Sequence, residues 1–418
     1  MTINAHRAFH RDGAEDSWLR SLTVDPPRVA QLRAARDEIR ETLKAGFADW
    51  NDHLDQRALF EDAALEAFEA ERPLRPKFRM QGSFSYDTLN RATQQPPQQI
   101  DLDDGVFLPT SFLTRDGEVH PALVSSAYFD IVERILLPLR RARGWDTEQM
   151  RSCVRVLLGD DAHVDLALYA IPDGEFRVLV EKADARRGGA GLEARDSGMA
   201  LDEQARFERD VYPELPADRI MLAHRETGWQ PSDPRKLEDW FRAAIARHGY
   251  QLRRVCRYLK AWRDHRWDCG GPSSIALMSC VVAAFDAGIV GDDDARDDLA
   301  LLRVAEDLPG RLEGRLANPV VVDQWLDDGW SAHARREFVD AARVLGRAVR
   351  AALGGTSPSV ARDRLCTELG PYMPQDEDLY VVDLGGAPAV LSTGMLKEIA
   401  EDGGRREAVK VGGDTRYG

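Results

Sequence analysis

The chain has 418 residues, of which 43% are hydrophobic and 30% charged, with a formal net charge of −15. Its length suits two domains or one large two-lobed unit, and its composition is that of an ordinary globular protein. The acidic balance argues against a stable nucleic-acid partner, which needs clustered Lys and Arg, and no run of about 18 apolar residues offers a membrane span.

Residues 1–26 carry little periodicity and read as a loose lead-in without the apolar core of a secretion signal. From Pro27 the pattern turns helical: Val29, Leu32, Ile39, Leu43, Phe47 and Trp50 fall on one face, with Asp25 and two prolines at the start. A second helix is expected over Ala58–Ala70. Pro73 and Pro76 break it, and Lys77–Met80 reads as a strand entering the turn Gln81-Gly82-Ser83. A polar Pro-containing loop, residues 91–98, leads into the acidic strand Ile100-Asp101-Leu102-Asp103-Asp104-Gly105. Asp116-Gly117-Glu118 is a turn, and Tyr128–Arg140 a helix. Cys153–Leu158 and Ala162–Ile171, joined by Gly159-Asp160-Asp161, form an antiparallel hairpin.

Residues 183–208 are rich in Gly, Ala and charge and read as an exposed loop near a lobe boundary. Helical pattern returns over 232–263, interrupted at Gly249. It continues through Ile275–Phe285, Leu299–Val304 and Ala332–Leu353, and the tail from Pro358 is weakly patterned. The boundaries expected are a core lobe over 1–230, a helical lobe over 231–357 and a partly flexible tail over 358–418. Cys153, Cys256, Cys269, Cys280 and Cys366 include no CxxC pair, so they read as reduced thiols of a cytoplasmic protein.

Chemistry concentrates in Met80–Pro109. Strand alternation puts Asp101 and Asp103 on one face and turns Asp104 away. Two neighbouring carboxylates repel unless a cation lies between them, and Mg²⁺ typically takes one or two carboxylates plus phosphate oxygens. A calcium loop fails on spacing, because the sixth and twelfth positions from Asp101 are Val106 and Phe112. Asp165, in an otherwise apolar strand, is costly unless paired or metal-bound. Three carboxylates can hold two divalent ions about 4 Å apart. His163 shares the face of Asp165 and reads as a residue that orients it rather than as a general base.

The order of a Gly-Ser turn, a paired-Asp strand and a later Asp strand resembles the polymerase-β-like nucleotidyltransferases. Gln81-Gly82-Ser83-Phe84-Ser85-Tyr86, the block PPQQIDLDDGVFLP, His163-Val164-Asp165, Trp229-Gln230-Pro231-Ser232, Tyr258-Leu259-Lys260-Ala261-Trp262 and Gly271-Pro272-Ser273-Ser274 narrow the match. Together they resemble the bacterial cGAS/DncV-like nucleotidyltransferases, and most of all the DncV branch, which makes cyclic GMP-AMP in anti-phage CBASS operons.

The resemblance implies an α+β fold, with a polymerase-β-like sheet lobe, a helical second lobe and a cleft between them. It implies Mg²⁺ or Mn²⁺ on Asp101, Asp103 and Asp165, with ATP and GTP as substrates. Gln81, Gly82 and Ser83 would contact donor phosphates, Tyr86 would stack on a base, and Lys260 would grip phosphate. Ser232 and Ser274 would be further nucleotide contacts, although each also reads as a helix cap or turn residue. Arg155 is a candidate nucleotide clamp or a surface cation. Gly418 would be the point at which a ubiquitin-ligase-like operon partner conjugates the chain. Two other readings stay open from the residues: a template-independent RNA-tailing enzyme and a non-catalytic nucleotide-binding protein.

Overall fold

The computed structural model describes residues 2–11, 16–48, 75–109, 114–115, 118–119, 121–171, 220–232, 234–291 and 296–383. The helix expected over 58–70, the loop over 183–208 and Gly418 lie outside these residues.

The loose lead-in is not observed. The chain starts with strand β1 (Thr2–Asn4) and short helices α1 (His6–Phe9) and α2 (Trp18–Ser21). Ile3, Phe9 and Trp18 are fully buried in the core of the helical lobe. Trp18 stacks on Tyr258 with ring centroids 4.9 Å apart. Periodicity missed this segment because its elements are too short to display a period. Their apolar residues are held by distant helices rather than by local propensity.

Helix α3 (Pro26–Ala48) begins where the sequence places it and buries Leu32, Ile39, Leu43 and Phe47. It covers the sheet beside α5 (Pro121–Arg143), whose Phe129, Val132 and Leu136 share the same core. Strand β2 (Lys77–Met80) pairs antiparallel with β3 (Ile100–Pro109), with the one-turn helix α4 (Gly82–Ser85) between them. Strands β4 (Thr114–Arg115) and β5 (Glu118–Val119) form a separate small ladder.

The long strand β8 (Ala162–Ile171) organises the main sheet. One edge runs parallel to β3 along its whole length. The other edge is shared, first by β7 (Cys153–Leu157) and then by β9 (Met221–His224), both antiparallel. Strands β6 (Asp146–Gln149) and β10 (Gly228–Pro231) extend the two branches. The expected β7–β8 hairpin is present, closed by Leu158 N–H donating to the Ala162 carbonyl at 3.0 Å.

The helical lobe holds α6 (Pro234–His248), α7 (Tyr250–Arg266), α8 (Ser274–Asp286), α9 (Asp297–Glu313) and α10 (Ala332–Leu353). Gly249 breaks α6 from α7 with φ at 79°, a left-handed value that glycine adopts without strain. The tail is more ordered than its pattern implied. Helix α11 (Pro358–Leu369), capped by Ser357, buries Leu365 and Leu369, and β11 (Val381–Asp383) pairs antiparallel with β1.

The lobes meet along residues 87–98, which run beside α7. The Gln94 and Gln98 side-chain amides donate to the carbonyls of Asp264, His265 and Trp267, the orphan acceptors of the helix end. Asn90 exchanges hydrogen bonds with Arg257. A buried Arg79–Glu238 pair (2.7 Å) ties β2 to α6.

Candidate active site

The parallel register of β3 and β8 sets Asp101 opposite His163 and Asp103 opposite Asp165. The antiparallel register of β7 sets Arg155 opposite Asp165. Five polar side chains thus share one face of the sheet at the lobe seam. Asp104 faces the other way, fully buried, where Arg40 of α3 grips both of its oxygens.

Gly82 begins the turn after β2 with φ at 63°. A Cβ there would collide with Asp103 Oδ2, so the close approach of turn and carboxylate requires glycine. Burial, then repulsion from Asp101 and Asp165, pushes the Asp103 carboxyl well above the usual carboxylate range. Arg155 donates through Nε and Nη2 to the two Asp165 oxygens, each at 2.8 Å. His163 Nε2 lies 3.1 Å from Asp101 Oδ1 and 3.8 Å from Asp165 Oδ1.

Asp101 Oδ1 and His163 Nε2 are buried atoms without a hydrogen-bond partner among the described residues. Buried polar atoms of this kind are costly unless a cation joins them. Ligand atoms of Asp101, His163 and Asp165 lie within 4.8 Å of one another. The donor set therefore fits a divalent metal.

A cleft of about 730 Å³ opens above this face. Gln81, Gly82, Ser83, Tyr86, Asp101 and Asp103 line it from the sheet lobe, and Lys260 and Ser274 from the helical lobe. Ser232, just after β10, also reaches it. Arg155 and Asp165 lie outside the lining and meet each other instead. Lys260 Nζ donates to the Thr88 carbonyl at 2.7 Å. Burial, then Arg263, lowers its pKa to about 8. Ser274 Oγ accepts from Arg263 at 2.8 Å, while Ser273 caps α8. Tyr86 packs edge-on to Phe241 at 6.0 Å, and burial, then Asp103, holds its hydroxyl in the neutral form.

Sequence reasoning missed several neighbours of these groups. Tyr169 lines the cleft, stacks on Phe107 and donates to Gln81 Oε1 at 3.1 Å. Gln99 meets His163 Nδ1 at 2.8 Å. Tyr169 and His163 lie on the same strand as Asp165, and period-two alternation puts all three on one face. For His163 the sequence pointed to Asp165, whereas the closer carboxylate is Asp101.

Two families match the chain. One is described as the DncV-like cyclic GMP-AMP synthase nucleotidyltransferase domain, over residues 76–169, and the other as the cyclic GMP-AMP synthase C-terminal domain, over residues 249–382. A cyclic GMP-AMP synthase of Escherichia coli is 32% identical over 329 residues, 77% of this chain and 73% of that protein. That of Vibrio cholerae serotype O1 is 35% identical over 258 residues, 60% of this chain, and the aligned region spans 56% of that relative's length.

Among solved structures, the Vibrio cholerae DncV cyclic AMP-GMP synthase in complex with the linear intermediate 5′ pppA(3′,5′)pG has a TM-score of 0.73 and 27% identity. That match covers 92% of this chain and 100% of the other. A variant of the Vibrio cholerae di-nucleotide cyclase in complex with ATP, GTP and a further ligand matches with a TM-score of 0.74 and 26% identity, at the same coverage.

Proposed function

The chain belongs to the family of DncV-like cyclic GMP-AMP synthases, and from that premise we propose that it joins ATP and GTP into cyclic GMP-AMP as a signal in anti-phage defence. In each of two steps the 3′-hydroxyl oxygen of one nucleotide forms a bond to the α-phosphorus of a triphosphate. The bond to pyrophosphate breaks, and the hydroxyl proton passes to solvent. The second step closes the ring.

One observation supports the reading above all. A parallel strand pair puts Asp101 and Asp103 level with His163 and Asp165, leaves buried polar atoms unpaired there, and turns Asp101 and Asp103 to a cleft that Lys260 lines from the other lobe. Such a face would attract a divalent cation, Mg²⁺ or Mn²⁺, held by Asp101, Asp103 and Asp165. When bound, the cation lowers the pKa of an attacking hydroxyl and offsets charge on phosphate.

The chain's own residues do the rest. Gly82 lets the backbone of Gln81–Ser83 approach a triphosphate without a clashing Cβ. Lys260 places an ammonium opposite the carboxylates, so phosphate charge is met from both lobes. Arg155 fixes the orientation of Asp165 through two parallel hydrogen bonds. Tyr86 offers a neutral ring for base stacking, and Ser232 and Ser274 offer hydroxyls at the rim.

The test is to incubate the full chain with the four NTPs and Mg²⁺ and identify products by mass spectrometry. A cyclic dinucleotide containing one adenine and one guanine is expected. Absence of every cyclic product, with no pyrophosphate released, overturns the proposal.

A further inference from the structure

The geometry points to His163 as a fourth metal ligand, which places a nitrogen donor beside Asp101 and Asp165 and tunes the site toward a divalent ion that tolerates nitrogen better than Mg²⁺ does, such as Mn²⁺. This inference rests on the nucleotidyltransferase reading of the same face, and it assigns a residue that a set of three carboxylates leaves out.

The two ring nitrogens of His163 face different partners. Gln99 Nε2 faces the carbonyl oxygens of Gly159 and Asp160 at 3.5 and 3.4 Å. The reverse amide orientation would set a carbonyl oxygen against two others, so Oε1 is the atom turned to His163. That oxygen only accepts, and it lies 2.8 Å from Nδ1, so Nδ1 carries the proton. In the neutral ring Nε2 is then a bare lone pair.

Nε2 faces two more acceptors, Asp101 Oδ1 at 3.1 Å and Asp165 Oδ1 at 3.8 Å. With the ring neutral, three lone pairs converge with no donor among them. His163 is only 6% exposed, and neither Nε2 nor Asp101 Oδ1 has a hydrogen-bond partner among the described residues. A metal–ligand distance of roughly 2.1 Å gives an octahedral edge of roughly 3.0 Å. The 3.1 Å separation is of that size.

The remaining contacts fit the same picture. Arg155 occupies one lone pair on each Asp165 oxygen and leaves others for a metal. Gln99 fixes the ring's tautomer and orientation from behind, the usual arrangement for a histidine ligand. Mn²⁺ accepts an imidazole nitrogen more readily than Mg²⁺, which prefers oxygen and retains its water.

Mn²⁺ alone, added to the full chain without nucleotide, is the probe. Pulsed EPR is expected to show the modulation of a directly bound ¹⁴N, replaced by the ¹⁵N pattern when histidine is isotopically labelled. His163→Gln should abolish that signal and weaken Mn²⁺ binding about tenfold. Its Mg²⁺ affinity should change far less. Wild-type Mn²⁺ bound with no nitrogen coupling overturns the inference, whether or not the variant folds, and leaves an imidazolium between the carboxylates as the explanation of the contact. Unchanged Mn²⁺ affinity in a folded variant overturns it as well. None of these readouts needs turnover. A chain that makes cyclic dinucleotide but lacks the nitrogen signal refutes this inference alone, whereas a nitrogen signal without product refutes the functional reading alone.

Discussion

Asp103 and Asp104 are adjacent on one strand and live in opposite worlds. Asp104 faces the back of the sheet, where Arg40 neutralises it with a two-point hydrogen bond and Arg40 also lies over the Phe78 ring. Asp103 faces the cleft, crowded by Asp101 and Asp165 and pressed against Gly82. Asp104 is fully buried and Asp103 partly so, yet the first is paired with a guanidinium and the second is surrounded by its own charge. A carboxylate paired inside the fold serves stability, whereas one kept among like charges is poised for a cation that arrives from outside.

Replacing the cleft-side pair is the harshest test of that contrast. Asp101→Asn with Asp103→Asn should lower cyclic dinucleotide formation about a thousandfold or more. The melting temperature should hold or rise, since the change relieves repulsion. A fall in melting temperature of several degrees, measured without metal, would erase the distinction between the two faces.

The back-side change should do the converse. Asp104→Ala removes the carboxylate that accepts two hydrogen bonds from the buried Arg40 guanidinium, at a cost of about 3–5 kcal/mol in urea unfolding. Replacing both partners by apolar residues, Arg40→Met with Asp104→Leu, should recover most of that loss. If the single change costs little, Arg40 is not the partner that makes Asp104 structural.

The smallest effect concerns Lys260, which answers the carboxylates from the helical lobe. Its folded pKa is about 8, below the ordinary 10.5. The unfolded chain therefore binds more protons between those values, and metal-free stability should rise with pH through that window. Nucleotide triphosphate affinity should move the other way. The ammonium is charged below about 8 and lost above it, so binding should weaken several-fold between about pH 7 and pH 9. Lys260→Met should flatten both trends, and a profile in calorimetry that is the same in the variant would remove Lys260 from the phosphate contacts.

Much of the sheet and most of the helices were legible because they repeat. Period two in β3 and the helical period in α3, α7 and α10 report how a side chain alternates between core and solvent, while β8 and α8 read as apolar runs because both are buried nearly throughout. Short elements carry no such record. The N-terminal Ile3, Phe9 and Trp18 and the tail's Leu365 and Tyr380 are buried because remote helices receive them. A window of neighbouring residues holds no information about that.

Within the site, sequence alone determined the strand that carries Asp101 and Asp103 and the turning of Asp104 to the opposite face. These follow from alternation, which is local. Tertiary structure alone decided that Asp103 stands level with Asp165, that Arg155 holds Asp165 instead of lining the cleft, and that Gln99 turns the His163 ring toward Asp101. Register between strands some sixty residues apart depends on which edges pair, and pairing is a property of the whole sheet.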